Sequence, residues 1–192
     1  MRLVELLSAV DMLILFLLII EQSLSSMRII RKNRILEQKA YIDVHTGIPN
    51  KSKCEELFSD MSFITEPTAC LMFDLNNLKS ANDTLGHSAG DQLIASFARV
   101  LRNVIPAKDF VGRYGGDEFV VILYNIGENT VNNVLTQLNN EIMQFNRCGN
   151  NIPISYAQGW AVSTDYTDCT LRTLFDKADH FMYTNKVRVK SE

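Results

Sequence analysis

The alternation of hydrophobic and polar positions divides the chain into an apolar start and a longer region of strand and helix patterns. Residues 3–20 are almost entirely apolar, and residues 22–42 contain neither proline nor glycine, which favours helix throughout. From residue 43 onward, short apolar runs typical of buried strands alternate with segments of helical period. The pattern predicts an apolar helix at 1–21, a linker helix at 22–42 and a single α/β domain at 43–192.

Within residues 43–192, apolar runs predict strands, and the segments between them have the period of helices. Two of these runs are separated by Gly115 and Gly116, which is a hairpin signal. Strands that interleave with helices around one hairpin predict an α/β (α+β) fold with a central, mostly antiparallel sheet flanked by helices. The predicted strands are 68–75, 110–114, 118–124 and 152–163, and the predicted helices are 51–61, 89–105, 128–145 and 170–186.

The size, charge and cysteine content of the chain disfavour some classes of function. The chain has 192 residues, 46% of them hydrophobic, which is enough for one domain with a sizeable core and a short appendage. The net charge of -3 and the pI near 5.6 argue against a nucleic-acid-binding protein, which would carry a basic excess. The four cysteines are widely spaced and form no C-x-x-C pair, which disfavours a zinc site and fits free thiols in a reducing cytosol.

The apolar start, residues 3–20, is just long enough to cross a bilayer, which takes roughly 20 apolar residues. Asp11 lies near its middle, where an acid costs about 2.5–3.5 kcal/mol that the many leucines and isoleucines offset. More basic residues follow this segment than precede it, so the positive-inside rule places the rest of the chain in the cytoplasm. We therefore expect a single N-terminal span in the cell membrane. Two alternatives stay open: an apolar helix that packs against a second copy, and the last span of a longer protein.

Acidic residues occur at two positions where a buried carboxylate needs a partner. Asp74 ends an apolar strand, and Asp117 and Glu118 follow the Gly-Gly turn at the start of another. If the hairpin pairs beside the strand of Asp74, then Asp74 and Asp117 meet at one end of the sheet and form an oxygen-rich site suited to Mg2+. Adjacent side chains in a strand face opposite ways, so Asp117 and Glu118 are not expected to bind one ion together. The alternatives are a turn acid at Asp74 and a solvated Gly-Gly-Asp hairpin.

A further set of polar residues is suited to a nucleotide. Asn82 and Asp91 provide amide and carboxylate groups that match the hydrogen-bonding edge of guanine, although Asp91 can instead cap its helix. In the C-terminal helix, Lys186 and Lys190 lie one turn apart on one face, where they can clamp phosphates or form a solvated basic helix end. The remaining polar candidates, which fit surface positions as well as a ligand, are Lys79 and His87.

Four segments resemble, in order and spacing, the motifs of the GGDEF domain of diguanylate cyclases. GGDEF itself stands at residues 115–119, and DVHTGIPNK at 43–51 resembles the segment that joins a signalling helix to the domain. FDLNNLKSANDTLGHSAGD at 73–91 resembles the family's strand, metal and base-binding block, and ADHFMYTNK at 178–186 resembles its closing helix. The resemblance covers roughly residues 43–190. It implies a fold similar to the palm of polymerases and class III nucleotide cyclases. It also implies a homodimer that holds one GTP per protomer and joins two GTP into cyclic di-GMP with release of two pyrophosphates.

Carried over position by position, the resemblance implies a role for each candidate residue. Asp74, Asp117 and the backbone carbonyl of Leu75 would bind Mg2+ (or Mn2+). Asp117 and Glu118 would help to deprotonate the attacking 3′-hydroxyl, and the division of roles between them stays open. The substrate contacts implied by the resemblance come from Lys79, Asn82, His87, Asp91, Gly115, Gly116, Lys186 and Lys190.

Departures from the family pattern bear on regulation and binding. The family often has an R-x-x-D inhibitory site before the signature, whereas this chain has Pro106 with Asp109, so we expect weak or absent product feedback through that site. Lys190 stands where the family usually has arginine, which would loosen binding of the γ-phosphate. His45 replaces a common leucine and is expected to be a packing change.

Alternatives to the diguanylate cyclase also stay open. One is a non-catalytic GGDEF receptor or scaffold that binds GTP or cyclic di-GMP. Degenerate members of that kind usually lose the signature acids, whereas Asp74, Asp117 and Glu118 are all present here. Another is a cyclase that makes mixed dinucleotides, which Asp91 disfavours because members that accept adenine tend to carry a small hydroxyl residue at this position. No sensor domain of recognisable size precedes the helix, so input is expected through the span, the linker or a partner.

Overall fold

The computed structural model describes residues 2–127, 129–149 and 152–191, and the side chains of residues 2–11, 34–35, 38–39 and 188–191 lie outside the description. The chain divides into two compact units, Met1–Ala40 and Tyr41–Glu192. The first unit lies within α1 (Arg2–Tyr41), one continuous helix whose last residue belongs to the second unit. It passes the expected boundary at residues 21–22 without a break, so that boundary remains a proposal based on composition.

The apolar part of α1 has the length and composition of a membrane span. Among the described residues, Met12–Asn33 is the stretch with this property, with a mean hydropathy of 1.8. The side chains described in this stretch are exposed to the surroundings of the protein. A water-exposed apolar surface of this size is unfavourable, so a membrane or a partner is expected to cover it.

The second unit consists of a four-stranded sheet with helices on both faces. Its elements, in chain order, are α2 (Lys51–Phe58), β1 (Ala69–Leu75), α3 (Leu78–Leu85), α4 (His87–Val104), β2 (Phe110–Arg113), β3 (Glu118–Leu123), α5 (Thr130–Arg147), β4 (Tyr156–Val162), a short 3-10 helix (Ser163–Asp165) and α6 (Leu171–Ser191).

The strands are arranged in the order β2-β3-β1-β4, and each neighbouring pair is antiparallel. This arrangement confirms the predicted antiparallel sheet flanked by helices. β1 lies between β3 and β4, and every one of its residues is buried. Because helices cover both faces, β1 has a continuous apolar sequence instead of an alternating one.

Two apolar clusters lie on opposite faces of the sheet. Leu71 and Phe73 of β1 belong to the cluster that contains residues of α4 and α5, whereas Cys70 and Met72 belong to the cluster that contains residues of α2 and α6. Alternate side chains of a strand point to opposite faces, which explains the division. β1 is thereby fixed from both sides, and the residues at its end are held in place.

Close packing of α6 against β4 depends on Gly159. A Cβ at this position would overlap the backbone of Ala178 and Met182 in α6. Only glycine lets the helix backbone approach a strand this closely. The contact sets the distance between α6 and the sheet, and α6 carries Lys186.

The helix α3 was not predicted from the sequence. It begins after Asn77, which has a left-handed backbone (φ 63°), and ends before Gly86 (φ 88°). A helix this short is marginal by itself, and its contacts with α4 supply the missing stability. The prediction of free thiols is confirmed for all four cysteines.

Candidate active site

Asp74 lies at the end of β1, at the edge of the core. Its backbone is paired with Glu118 on β3 and with Ala157 on β4. The residue is 5% exposed, and its Oδ2 accepts a hydrogen bond from Nζ of Lys186 at 2.6 Å. None of the described residues donates a hydrogen bond to its buried Oδ1. A buried carboxylate oxygen without a donor is costly, so Asp74 is suited to bind a further cation or donor.

The Gly-Gly turn between β2 and β3 places Asp117 beside β1. The N–H of Leu75 donates to the carbonyl of Asp117 at 2.9 Å, which joins the turn to the end of the strand that carries Asp74. The N–H of Gly115 donates to the carbonyl of Glu118 at 3.2 Å and helps to close the hairpin. A Cβ at Gly115 would overlap the carboxylate of Glu118, so a larger residue at this position would displace that side chain.

Arg113, the last residue of β2, fixes the backbone of the turn. Its Nε donates to the carbonyl of Gly115 at 3.2 Å, and its Nη2 donates to the carbonyl of Gly116 at 2.8 Å. Its Nη1 donates to Oδ2 of Asp43 at 2.9 Å, and Oδ1 of the same carboxylate accepts from the Thr46 backbone N–H at 2.9 Å. Arg113 therefore connects the segment that leads into the domain with the turn. Its role was not predicted from the sequence, and its position two residues before the Gly-Gly pair was the available signal.

The carboxyl group of Glu118 lies in a concentration of negative charge. Burial raises the pKa of Glu118 above its ordinary value. The carboxylates of Asp117, Asp179 and Asp74 raise this pKa further, and the ammonium group of Lys186 acts in the opposite direction. Acids placed this close together favour the binding of a cation, and perturbed acids of this kind are typical of functional sites.

A cavity of about 570 Å³ opens at this end of the sheet, a size within the range of ligand sites. Predicted site residues that line it are Leu75, Lys79, Asp117 and Lys186. Other lining residues, which were not predicted as site residues, include Ser155 and Gln158 at β4 and Asn185 on α6. Asn185 lies within the ADHFMYTNK motif, whereas no motif marks Ser155 or Gln158, and the three become part of one wall only through the packing of α6 on β4. Ammonium and carboxylate groups around one cavity are suited to a phosphate ligand with a bound cation.

The residues predicted to recognise guanine are not part of the lining of this cavity. Asn82 on α3 lies against Gly90 on α4, where a Cβ would overlap the Asn82 side chain. None of the described residues donates to Oδ1 of Asn82. Asp91 follows on α4, and its Oδ2 lies 3.6 Å from Nδ1 of His45. The packing role expected for His45 is wrong, because its side chain is 45% exposed and faces Asp91. His87 is exposed at the first residue of α4.

The residues at the expected inhibitory site form a turn before β2. The N–H of Asp109 donates to the carbonyl of Pro106 at 3.0 Å. The side chain of Asp109 is 3% exposed, and its Oδ1 accepts from the N–H of Tyr124 at 2.9 Å. Asp109 is therefore engaged in an internal hydrogen bond, and Pro106 supplies no cation. The side chain of Lys190 lies outside the described residues, so its phosphate contact stays a prediction.

The donor set fits a hard divalent cation. The described residues contain no group of three or more His, Cys, Asp or Glu side chains that could hold a metal ion by themselves. Mg2+ commonly takes one or two carboxylates, keeps several waters and completes its shell with substrate phosphates. The carboxylates of Asp74 and Asp117 and the carbonyl of Leu75 would form such a partial set, and the buried Oδ1 of Asp74 has no hydrogen-bond donor among the described residues.

The sequence profile described as diguanylate cyclase, GGDEF domain, matches residues 40–192. Because the match covers most of the chain, the chain belongs to the GGDEF domain family. Its function is accordingly related to cyclic di-GMP.

Curated relatives support this assignment. The chain is 32% identical over 191 residues to the signaling protein YkoW of Bacillus subtilis (strain 168), covering 90% of this chain and 23% of that protein. It is 30% identical over 164 residues to the diguanylate cyclase TpbB of Pseudomonas aeruginosa (strain UCBPP-PA14), covering 81% and 37% respectively. A diguanylate cyclase of Vibrio cholerae is 26% identical over 155 residues, covering 79% and 48%. The chain thus spans less than half the length of each of these relatives.

Solved structures agree with the fold. A sensory box/GGDEF family protein from Caulobacter crescentus has 29% identity and a TM-score of 0.63, covering 78% of this chain and 99% of that one. A microbial GGDEF domain studied with bis-(3,5)-cyclic di-GMP has 26% identity and a TM-score of 0.66, covering 80% and 94%. The predicted GGDEF fold is confirmed.

Proposed function

We propose that the chain is a diguanylate cyclase that condenses two GTP into cyclic di-GMP and releases two pyrophosphates. The observation that carries this proposal is the convergence of Asp117, Lys79 and Lys186 on one cavity beside the buried carboxylate of Asp74. In each half-reaction a 3′-oxygen forms a bond to the α-phosphorus of the other GTP. The bond between that phosphorus and the oxygen that links it to the β-phosphate breaks, and pyrophosphate leaves. Such a transfer depends mainly on in-line positioning and on neutralising charge, and these side chains supply both.

The cation that this family chemistry implies is Mg2+ or Mn2+. Asp74, Asp117 and the carbonyl of Leu75 are the residues that would hold it. When bound, the ion lowers the pKa of a hydroxyl group and stabilises the leaving pyrophosphate.

The other side chains bind the substrate and handle the proton. Lys79 and Lys186 neutralise the phosphates, and Gly115 and Gly116 let the turn approach the nucleotide. Burial and the neighbouring acids raise the pKa of Glu118, which makes its carboxylate a better proton acceptor for the 3′-hydroxyl than an exposed glutamate. The division of this role between Glu118 and Asp117 is decided by comparing Glu118→Gln with Asp117→Asn.

Guanine recognition is assigned to a separate group of residues at α3 and α4. Asn82 has an unpartnered side-chain oxygen, and Asp91 provides a carboxylate for the N–H groups of the base. His87 is exposed at the start of α4 and would line the substrate pocket. The assignment predicts that Asp91→Ser lowers the preference for GTP over ATP, measured as relative kcat/KM.

Because each protomer holds one GTP, catalysis requires two domains that face each other as a homodimer. The specific activity of a fragment of residues 34–192 should therefore rise with protein concentration. An activity that is constant over a hundredfold dilution would contradict the dimer requirement.

We also propose that α1 anchors the catalytic domain to the cytoplasmic side of the cell membrane. Confinement to a plane raises the local concentration of protomers and favours the dimer. The full-length chain should remain in the membrane fraction after alkaline extraction. It should also have a higher specific activity in membranes than residues 34–192 at the same bulk concentration, and equal activities would count against this role of the anchor.

The test of the activity is GTP turnover by the full-length chain with Mg2+, with products separated by chromatography. The parent is compared with Asp117→Ala and with the control Asp60→Ala, which changes an exposed acid outside the cavity. Cyclic di-GMP from the parent and the control, and none from Asp117→Ala, supports the proposal. Binding of GTP or cyclic di-GMP without any product would instead support a receptor.

A further inference from the structure

Lys186 forms the direct cationic contact of Asp74. Its Nζ lies 2.6 Å from Oδ2 of Asp74, and the two side chains are 26% and 7% exposed respectively. The two residues are 112 positions apart in the chain and meet because α6 packs on the end of β1. A short, sheltered pair of this kind is stronger than a pair at the protein surface.

The surroundings of this pair are negative. The carboxylates of Asp117, Asp179 and Asp74 all raise the pKa of Glu118, and the ammonium group of Lys186 lowers it, so these charges lie near Glu118. Asp117 and Lys186 also line the same cavity. Lys79 lines this cavity as well, and it is exposed and makes no ion pair with Asp74.

An ammonium group and a divalent cation compete for the oxygen that Lys186 contacts. A carboxylate oxygen that accepts at 2.6 Å from an ammonium group has its negative charge largely compensated. A divalent ion that approaches Asp74 meets the positive charge of Lys186 as well as the carboxylate. The lysine stem is flexible, so the ammonium group can move to a phosphate when one enters the cavity.

We propose that Lys186 is a built-in counter-ion that occupies Asp74 in the nucleotide-free protein and leaves it for the phosphates when cation and nucleotide enter together. This inference rests on the proposed function for the assignment of Asp74 as a metal ligand. It adds that Lys186 opposes metal binding in the absence of nucleotide. The bound triphosphate relieves this opposition by taking over the ammonium group, so that metal and nucleotide bind cooperatively.

The test measures Mn2+ binding to the nucleotide-free, full-length chain in detergent by the electron paramagnetic resonance signal of free Mn2+. Lys186→Gln should bind Mn2+ at least about tenfold more tightly than the parent. Lys186→Arg keeps the charge and should bind like the parent. Lys79→Gln is the matched control, because it removes a lysine of the same cavity that does not pair with Asp74, and it should also bind like the parent. Equal affinities of Lys186→Gln and the parent would overturn the proposal.

Thermal unfolding gives a readout that does not depend on activity. In EDTA, Lys186→Gln should have a lower Tm than the parent because it leaves the buried carboxylate without a cation, and added Mn2+ should raise its Tm more than that of the parent. If Lys186→Gln is unfolded in EDTA, refolding by Mn2+ supports the proposal, and failure to refold overturns it. The double variant Asp74→Asn/Lys186→Gln should lose the response to Mn2+.

The two proposals fail in different ways. If the parent does not bind Mn2+ even with a non-hydrolysable GTP analogue, the metal assignment of the proposed function fails. If the parent binds Mn2+ with the analogue and Lys186→Gln shows no gain without it, the counter-ion role alone fails.

Discussion

Replacement of Arg113 by alanine tests how the Gly-Gly turn is held. The guanidinium donates to the carbonyls of Gly115 and Gly116 and to the carboxylate of Asp43. The side chains of Arg113 and Asp43 are only 13% and 17% exposed, so solvent does not replace these bonds well after truncation. Loss of one partner of a largely buried pair costs about 3–5 kcal/mol, and we take the lower end because a fraction of each group is exposed.

A loss of about 3 kcal/mol corresponds to a fall in Tm of about 6–12 °C for a domain of this size. The assay is thermal unfolding in EDTA, followed by circular dichroism. The matched control is Arg172→Ala, which removes a 43% exposed arginine that pairs with Glu55 and Asp176. Exposed pairs are worth about 0–1 kcal/mol, so this control should lower Tm by less than about 4 °C.

The same variant should impair turnover at temperatures at which it is folded. A displaced turn misplaces Asp117 relative to Asp74, and a shift of about 1 Å can cost about a hundredfold in rate. Arg113→Lys keeps the charge but not the fork geometry, so it should lie between parent and alanine variant in both Tm and rate. A fall in Tm no larger than that of Arg172→Ala, or an unchanged rate, would refute the reasoning.

Three further predictions concern pH, packing and feedback. Burial acts to raise the pKa of Asp43, but hydrogen bonds from Thr46 and the charge of Arg113 prevail and hold the pKa below its ordinary value. The stabilisation that comes from this depressed pKa is fully present above the pKa of Asp43 in the unfolded chain, and it is lost as pH falls through the pKa of Asp43 in the folded protein. Asp43→Asn should therefore lower the unfolding free energy by about 1–2 kcal/mol at pH 7 and progressively less below about pH 4. Gly159→Ala should cost about 1–3 kcal/mol in denaturant unfolding because its Cβ overlaps the backbone of α6. Added cyclic di-GMP should leave the initial rate of the parent unchanged, because Pro106 stands in place of the arginine of the inhibitory site.

Each of these predictions has a control. An Asp43→Asn difference that stays constant down to pH 3 would contradict the linkage to this carboxyl group. Gly127→Ala is the counterpart of the glycine substitution, because its Cβ would lie 3.8 Å from Oγ1 of Thr130, and it should change stability by less than about 0.5 kcal/mol. Inhibition of the parent by micromolar cyclic di-GMP would show that the feedback site works with Asp109 alone or that a different site exists.

The strands and the longer helices of the second unit could be predicted from the sequence because they depend on local patterns. The sequence of β1 is a continuous apolar run because the strand is buried on both faces. The Gly-Gly pair before β3 indicates the hairpin between β2 and β3. α3 was missed because its eight residues carry no long apolar period and depend on contacts with α4. His45 was misinterpreted for a related reason, since only the fold shows that this turn residue faces Asp91.

The sequence by itself determined the family, the order of the strands and longer helices, and the identity of the candidate acids and lysines. These follow from motifs and from hydrophobic periods that act over a few residues. The tertiary structure alone decided that Lys186 contacts Asp74, that Arg113 fixes the turn and reaches Asp43, and that Asn82 and Asp91 lie outside the lining of the main cavity. Side chains far apart in the chain become neighbours only when helices pack on the sheet, and that packing is set by the combined burial of many residues. No local pattern in the sequence encodes which two of several charged groups will meet.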